Sequence, residues 1–389
     1  MLASKTLGLK EIATLLFVIL IIGGVCALLG YKVGSGEMQF NFRKSTHLSN
    51  ADLVKTYNII NQMYYENIDH DNLLQNSITA LVTSLNDPYS YYVNRDDYQQ
   101  IISEDKGDYY GFGFIYRFEN SILEIIDVYP NSPAEKAGLR PNTTVEVINE
   151  KVIAEFTNSA EVAIFFKKHD SITLQLQSSN KLLNVISITK KNFNIPTFKY
   201  QKYDNSISYL KVYQFGDNLE KDFSQINTQL QNDKPPKLLI DLRNNLGGQN
   251  DQVIYFINQF LNQGIIMTEK IKDGNQSIVH KAGNIATFPE TKLILLTNRE
   301  TSSGAEVTTA AFQENKRAVV VGEKTYGKGT TGQFFELNDG SALHLSVGLW
   351  LTPNGNSIQS NGVQPDYPVK DKVINGQDQI LTKALSLFF

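Results

Sequence analysis

Residues 237–248 read KLLIDLRNNLGG: a short apolar strand, an aspartate, then a polar turn closing on paired glycines before a helical stretch from Gln249 to about Asn262. The same unit recurs. KLILLTN (292–298) gives way to a short polar turn and a helix from Ser303 to about Glu314, and RAVVVGE (317–323) follows. Upstream, ISYLKV (207–212) reads as a strand and Asn218–Asn232 as a helix. Short apolar strands alternating with helices predict a parallel sheet covered on both faces, so residues 191–389 read as an α/β domain.

In an open α/β sheet, functional groups gather at the carboxyl ends of the strands. Three such ends are unusual here. In DLRNNLGG (241–248) the glycines allow backbone N–H groups to face a ligand or an oxyanion, or simply make a tight βα turn. In ETSSGAE (300–306), Ser302 and Ser303 sit where strand passes into helix. A hydroxyl there lies in the positive field of the helix start and can be a nucleophile or an N-cap; local sequence does not choose between the two serines. In KTYGKGTTGQ (324–333), Lys328 stands between two glycines. It is either a surface lysine or one held by close backbone packing, whose burial would lower its pKa far enough to serve as a base. A Ser–Lys pair needs no histidine. ALHLSV (342–347) alternates, with Ala342, His344 and Ser346 on the face expected to meet solvent, so His344 is not expected to act.

Outward from this core, residues 111–190 look β-rich. GFGFIYRF and SILEIIDVYP read as strands with a turn at Glu119-Asn120, NSPAEKAGL as a helical turn stopped by Gly138, and VEVINEKVI as a hairpin. Asn158–His169 reads as a helix capped by Asn158, and SITLQLQ and LLNVISIT as strands. Asn50 to about Ser84 has a helical pattern, with Leu53, Tyr57, Ile60 and Met63 at three- and four-residue steps, ended by Asn86-Asp87-Pro88. An acidic, Tyr-rich connector is expected up to Tyr110. Residues 33–49 read as a stalk. Between Glu11 and Lys32 the chain carries no charge, and Ile12–Leu29 is dominated by Leu, Ile, Val and Ala. That suits one membrane-spanning signal anchor, oriented by Lys5 and Lys10, with the remainder outside the cytoplasm; a cleaved signal peptide is the competing reading.

Composition excludes several classes. The chain has 389 residues, 36 Lys+Arg against 40 Asp+Glu and a net charge of −4, so there is no basic face for nucleic acid. A single Cys excludes a disulfide framework or a Cys-rich metal site. The five His (47, 70, 169, 280, 344) form no HExxH pair.

Taken in order, DLRNNLGG, TSSGAEV and GEKTYGKGTTGQ resemble the carboxyl-terminal processing proteases, or tail-specific proteases, a family of PDZ-containing serine peptidases. LNDPYSYYV (85–93) is similar to the family's region before its PDZ domain, GFGF (111–114) and NSPAEKAGL (131–139) to the PDZ domain itself, and GSALHLSVGLWLTPNGNSIQSNGVQPD (340–366) to its final block. The resemblance runs from about residue 50 to the end. It implies a multidomain α/β protein: a ClpP/crotonase-like α/β protease core at 191–389, an inserted PDZ domain at 104–190 and an N-terminal helical region at 50–103. A stalk at 32–49, a transmembrane helix at 12–31 and a cytoplasmic tail at 1–11 precede these.

The resemblance resolves the serine question in favour of Ser303 as nucleophile and puts the lysine base on Lys328, 25 residues further on. The oxyanion donors it implies are the N–H of Gly304 and one of Gly247 or Gly248. A glutamine that orients the lysine is expected four residues after it; that position is Gly332, with Gln333 next. Gly111, Phe112, Gly113 and Phe114 would hold a peptide carboxylate while the substrate adds as a strand to the sheet edge. Gly304-Ala305, Asn142-Thr143 and Ile148-Asn149-Glu150 depart from the family's usual residues without removing a reactive group. The function implied is a membrane-anchored serine endopeptidase that recognises unstructured C-terminal tails of extracytoplasmic proteins, without metal or organic cofactor, alone or with a homo-oligomeric or regulatory partner. The alternative is an inactive PDZ-bearing scaffold that binds protein C-termini. A penicillin-binding type of enzyme needs Ser-x-x-Lys, and Ser303 has Glu306 at that spacing.

Overall fold

The computed structural model describes residues 48–177, 184–203, 206–271 and 276–388. The expected tail, membrane span and nearly all of the stalk lie outside the described residues, among which no helix is long and apolar enough to cross a membrane.

The chain divides into two units, 1–73 and 74–389. The helical stretch expected from Asn50 to about Ser84 is two helices, Asn50–Met63 and His70–Thr83. Tyr64 turns extended, and the Asp69 carboxylate accepts from Asn72 N at 3.0 Å to start the second helix. In the larger unit, the expected connector holds a helix, Arg95–Asp105, capped by Asn94 on Asp97 N. Its sequence, RDDYQQIISED, is too polar to show an apolar stripe.

The β-rich module is a six-stranded antiparallel sheet. Asn120 and Ser121, both at positive φ, close its first hairpin between strands Phe114–Glu119 and Ile122–Val128. Leu123, Ile125, Val145, Ile148, Ile172 and Leu174 fill its core beneath helix Ser159–Lys168. Phe114–Glu119 is an edge strand.

The α/β core runs β1 (Phe198–Lys202), β2 (Ile207–Val212), α1 (Leu219–Asp233), β3 (Lys237–Asp241), α2 (Asn250–Asn258), β4 (Lys292–Thr297), α3 (Gly304–Glu314), β5 (Ala318–Gly322), β6 (Tyr367–Pro368) and α4 (Gln379–Ser386). The strands lie side by side in that order; β1 is antiparallel to β2 and the rest are parallel. Apolar layers cover both faces, as the unalternating strands require. Leu238, Ile240, Leu293, Leu295 and Val320 face Phe215, Phe223, Phe256, Phe260 and Phe312; Leu239, Ile294, Leu296 and Val321 face Ile380, Ala384 and Phe388. Full burial of such a side chain contributes roughly 1.5–3 kcal/mol. Residues 304–312 of α3 are buried without exception.

A second core sheet joins Tyr91–Val93, Ala342–Leu351, Ile265–Ile271 and Gln276–Lys281, with Thr330–Glu336 also paired to Ala342–Leu351. Here the sequence reading of His344 is corrected. Its residue is 8% exposed, because Tyr91 and Phe334 are its register partners on the two flanking strands and cover the face expected to meet solvent.

Candidate active site

Three turns converge at the carboxyl ends of β3, β4 and β5. The turn after β4 is pinned to the one after β3. Thr301 Oγ1 donates to Leu242 O and Ser302 N to Asn245 O, each at 3.0 Å. Ser302 Oγ donates to Leu246 O at 3.1 Å, so its hydroxyl is already engaged. Ser303 differs. It caps α3 with φ 54° and ψ −122°, a conformation that a serine adopts only under local constraint, and its N–H is held by Glu306 Oε2 at 2.9 Å.

Gly247 lies directly against this turn. A Cβ on it would sit 2.7 Å from Gly304 N and 2.8 Å from Ser303 Cβ, so only glycine fits. Its own N–H donates to the Asn245 side chain at 2.8 Å. The N–H groups of Gly248 and Gly304 have no acceptor among the described residues, and Gly248 N lies 3.5 Å from where a Cβ on Gly304 would stand.

The Lys328 loop follows β5 and is joined to the serine turn by Glu306. This carboxylate is fully buried and accepts four bonds: Thr325 Oγ1 at 2.5 Å and Gly327 N at 2.7 Å on Oε1, Lys328 N and Ser303 N at 2.9 Å on Oε2. The backbone nitrogens of serine and lysine are thus each one hydrogen bond from the same oxygen. Burial pushes the Glu306 carboxyl above its ordinary value, and the four donors oppose the rise. Gly329 N donates to Gln359 Oε1 at 2.8 Å, so the loop is packed rather than loose.

Lys328 is half-buried, and burial lowers its pKa against the upward pull of Asp87 and Glu306. Its Nζ stands 5.6 Å from the centre of the Tyr89 ring. Among the described residues, no hydrogen bond joins Lys328 Nζ to Ser303 Oγ. Asp87 and Tyr89 belong to the DPYS turn, which the sequence reading took as a helix stop within a stretch similar to the family's region before its PDZ domain; nothing local signals that it approaches a lysine far along the chain. Gln333, expected to orient the lysine, is exposed and paired with Leu345, one residue out of step with Gly332 opposite Ser346. The bulge between Thr331 and Gly332 leaves it on the outer side.

Of the expected peptide loop, Phe112 is buried and Gly113 packs on Ser132, while Phe114 and Tyr116 stack around Phe166 at 5.5 and 5.0 Å. A cleft of about 1250 Å³ runs from the edge strand (Tyr116–Glu119) along Glu300 to Thr325 and Tyr326 of the lysine loop. Arg117 bridges it, donating to Glu300 from Nε at 2.9 Å. Among the described residues no group of three His, Cys, Asp or Glu side chains converges on a metal-binding position.

Residues 206–369 match peptidase family S41, and residues 34–97 match the N-terminal domain of the activating protease CtpB. The carboxy-terminal processing protease CtpA of Bacillus subtilis is 29% identical over 361 residues, covering 92% of this chain and 77% of its own. The same organism's carboxy-terminal processing protease CtpB is 29% identical over 328 residues, covering 81% and 67%. In fold, the chain is similar to a photosystem II D1 C-terminal processing protease, with a TM-score of 0.62 at 20% identity over 85% of this chain and 89% of that one. The glycine turn, the strained serine and the packed lysine loop thus all lie within the segment that matches peptidase family S41, in a chain similar over most of its length to carboxy-terminal processing proteases.

Proposed function

We propose that Ser303 and Lys328 form the catalytic dyad of an endopeptidase that cleaves proteins near unstructured carboxyl termini. One observation carries the reading: a single buried carboxylate oxygen of Glu306 holds both backbone positions, beside two unengaged N–H groups, that of Gly248 in the glycine turn and that of Gly304 at the start of α3. In this mechanism the neutral amine of Lys328 takes the Ser303 hydroxyl proton as Oγ bonds to the scissile carbonyl carbon. The oxyanion is met by Gly304 N–H and Gly248 N–H, since Gly247 N–H is engaged by Asn245; each donor is worth on the order of 3 kcal/mol. Collapse breaks the C–N bond, and the Lys328 ammonium returns the proton to the leaving amine. Water then attacks the acyl-enzyme with the same amine as base.

The cleft along the edge strand gives an extended peptide a route to Thr325 and Tyr326 at the start of the lysine loop, and a strand added at Phe114–Glu119 fits recognition by a PDZ-like module through Gly111–Phe114. The uncharged run at 12–31 and its lysine flank support a membrane anchor with this domain outside the cytoplasm. The test is cleavage of a disordered protein by the full chain, followed by mass spectrometry of the products. Ser303→Ala and Lys328→Ala should each abolish product, and a Lys328→Ala protein that cleaves at the wild-type rate would remove the dyad.

A further inference from the structure

The lysine loop has a neighbour that the dyad does not use. His344 sits in the central strand of a three-strand row, stacked on Tyr91 at 4.8 Å and against Phe334 at 4.7 Å, and is almost wholly buried. Its Nδ1 lies 2.7 Å from the Tyr89 carbonyl oxygen, which can only accept, so Nδ1 carries the proton. That leaves Nε2 as the acceptor, and Nε2 is aimed at Gly332: a Cβ at residue 332 would stand 2.2 Å from it. Gly332 is the fourth residue past Lys328 and follows the bulge that turns the strand back toward the loop. The imidazole therefore occupies the room that any side chain at 332 would need. Tyr89, whose carbonyl it holds, is the residue whose ring lies against the Lys328 amine.

We infer that His344 is a positioning residue for Lys328, its imidazole filling the space a side chain at 332 would take and fixing Tyr89, whose ring lies beside the amine. The inference rests on Lys328 being the base. The groups facing His344 are consistent with a neutral ring. Burial and the positive charge of Lys328 lower its pKa, while the Tyr89 hydrogen bond and Asp87 oppose the drop.

The experiment compares full-chain variants on a disordered protein substrate, recording kcat, KM and thermal midpoint. His344→Phe keeps the stacking and removes both nitrogens. It should lower kcat about 10- to 100-fold with KM unchanged and the midpoint close to wild type. His344→Ala should lose at least as much, and His344→Ala combined with Gly332→Gln should recover most of it, because the vacated space then admits an amide. Gly332→Gln alone, driven into the imidazole, should unfold at lower temperature. A His344→Phe enzyme with wild-type kcat beside an inactive Lys328→Ala enzyme overturns the positioning role and leaves the dyad standing. An active Lys328→Ala enzyme overturns the dyad itself. If His344→Phe does not fold, the double variant decides: no recovery over His344→Ala overturns the inference.

Discussion

The turn that carries Ser303 and the loop that carries Lys328 are built in opposite ways. The serine turn is a backbone construction. Apart from the Glu306 bond to Ser303 N, its hydrogen bonds run to the neighbouring βα turn; its φ is forced, and Gly247 packs directly against it. The lysine amine depends on side chains brought from elsewhere: Asp87 and Tyr89 from the turn before the first strand, His344 from a second sheet. A backbone-made site tolerates little change at all; a site made of side chains can be re-supplied from another strand. The difference explains how residue 332 can be glycine without leaving a void: the His344 imidazole fills the space a side chain there would take.

Four measurements break or sharpen this contrast. The largest effect belongs to Ser303→Ala, which should reduce turnover by on the order of 10⁴-fold or more, leaving substrate affinity intact; a milder loss would mean another hydroxyl takes over. Next comes Glu306→Gln, which should disturb both halves at once. Its amide NH₂ would oppose two of four donors, costing about 3 kcal/mol of stability along with most of the activity. If only the lysine half responded, the shared oxygen would not matter. Third, activity should rise with pH and level off below the ordinary lysine value, because burial favours the uncharged amine that takes the proton. A limb near 10.5 would place the working amine in water. The smallest effect is Arg117→Ala. The Arg117–Glu300 pair is partly exposed, so stability should change by less than about 1 kcal/mol, with activity altered a few-fold and less so at high salt.

The parallel sheet was legible because KLLID, KLILLT and AVVVG are buried on both faces and leave no alternation to misread. Ser303 over Ser302 was not decided by local residues. What separates them physically is that Ser302 Oγ is bonded to Leu246 O, a contact between different turns. His344 was misplaced for a related reason. Alternation assigns faces correctly, but which face is covered depends on strands far away in the chain; here Leu343 and Leu345 are only partly covered and His344 is enclosed. Helix Arg95–Asp105 escaped because capping and context, not an apolar stripe, hold it. Gln333 was expected inward from its nearness in sequence to position 332, and the pleat turns it out.

The Glu306 carboxylate has one more consequence. All four of its neighbours give it hydrogen bonds; three are backbone N–H groups that cannot receive one, and the fourth, the Thr325 hydroxyl, already accepts from Val363 N, so a proton added there disrupts the set. Burial makes that proton bind at a higher pH than an ordinary glutamic acid would allow. Acidification should then loosen the serine turn and the lysine loop in a single step, at the first proton rather than by gradual decay.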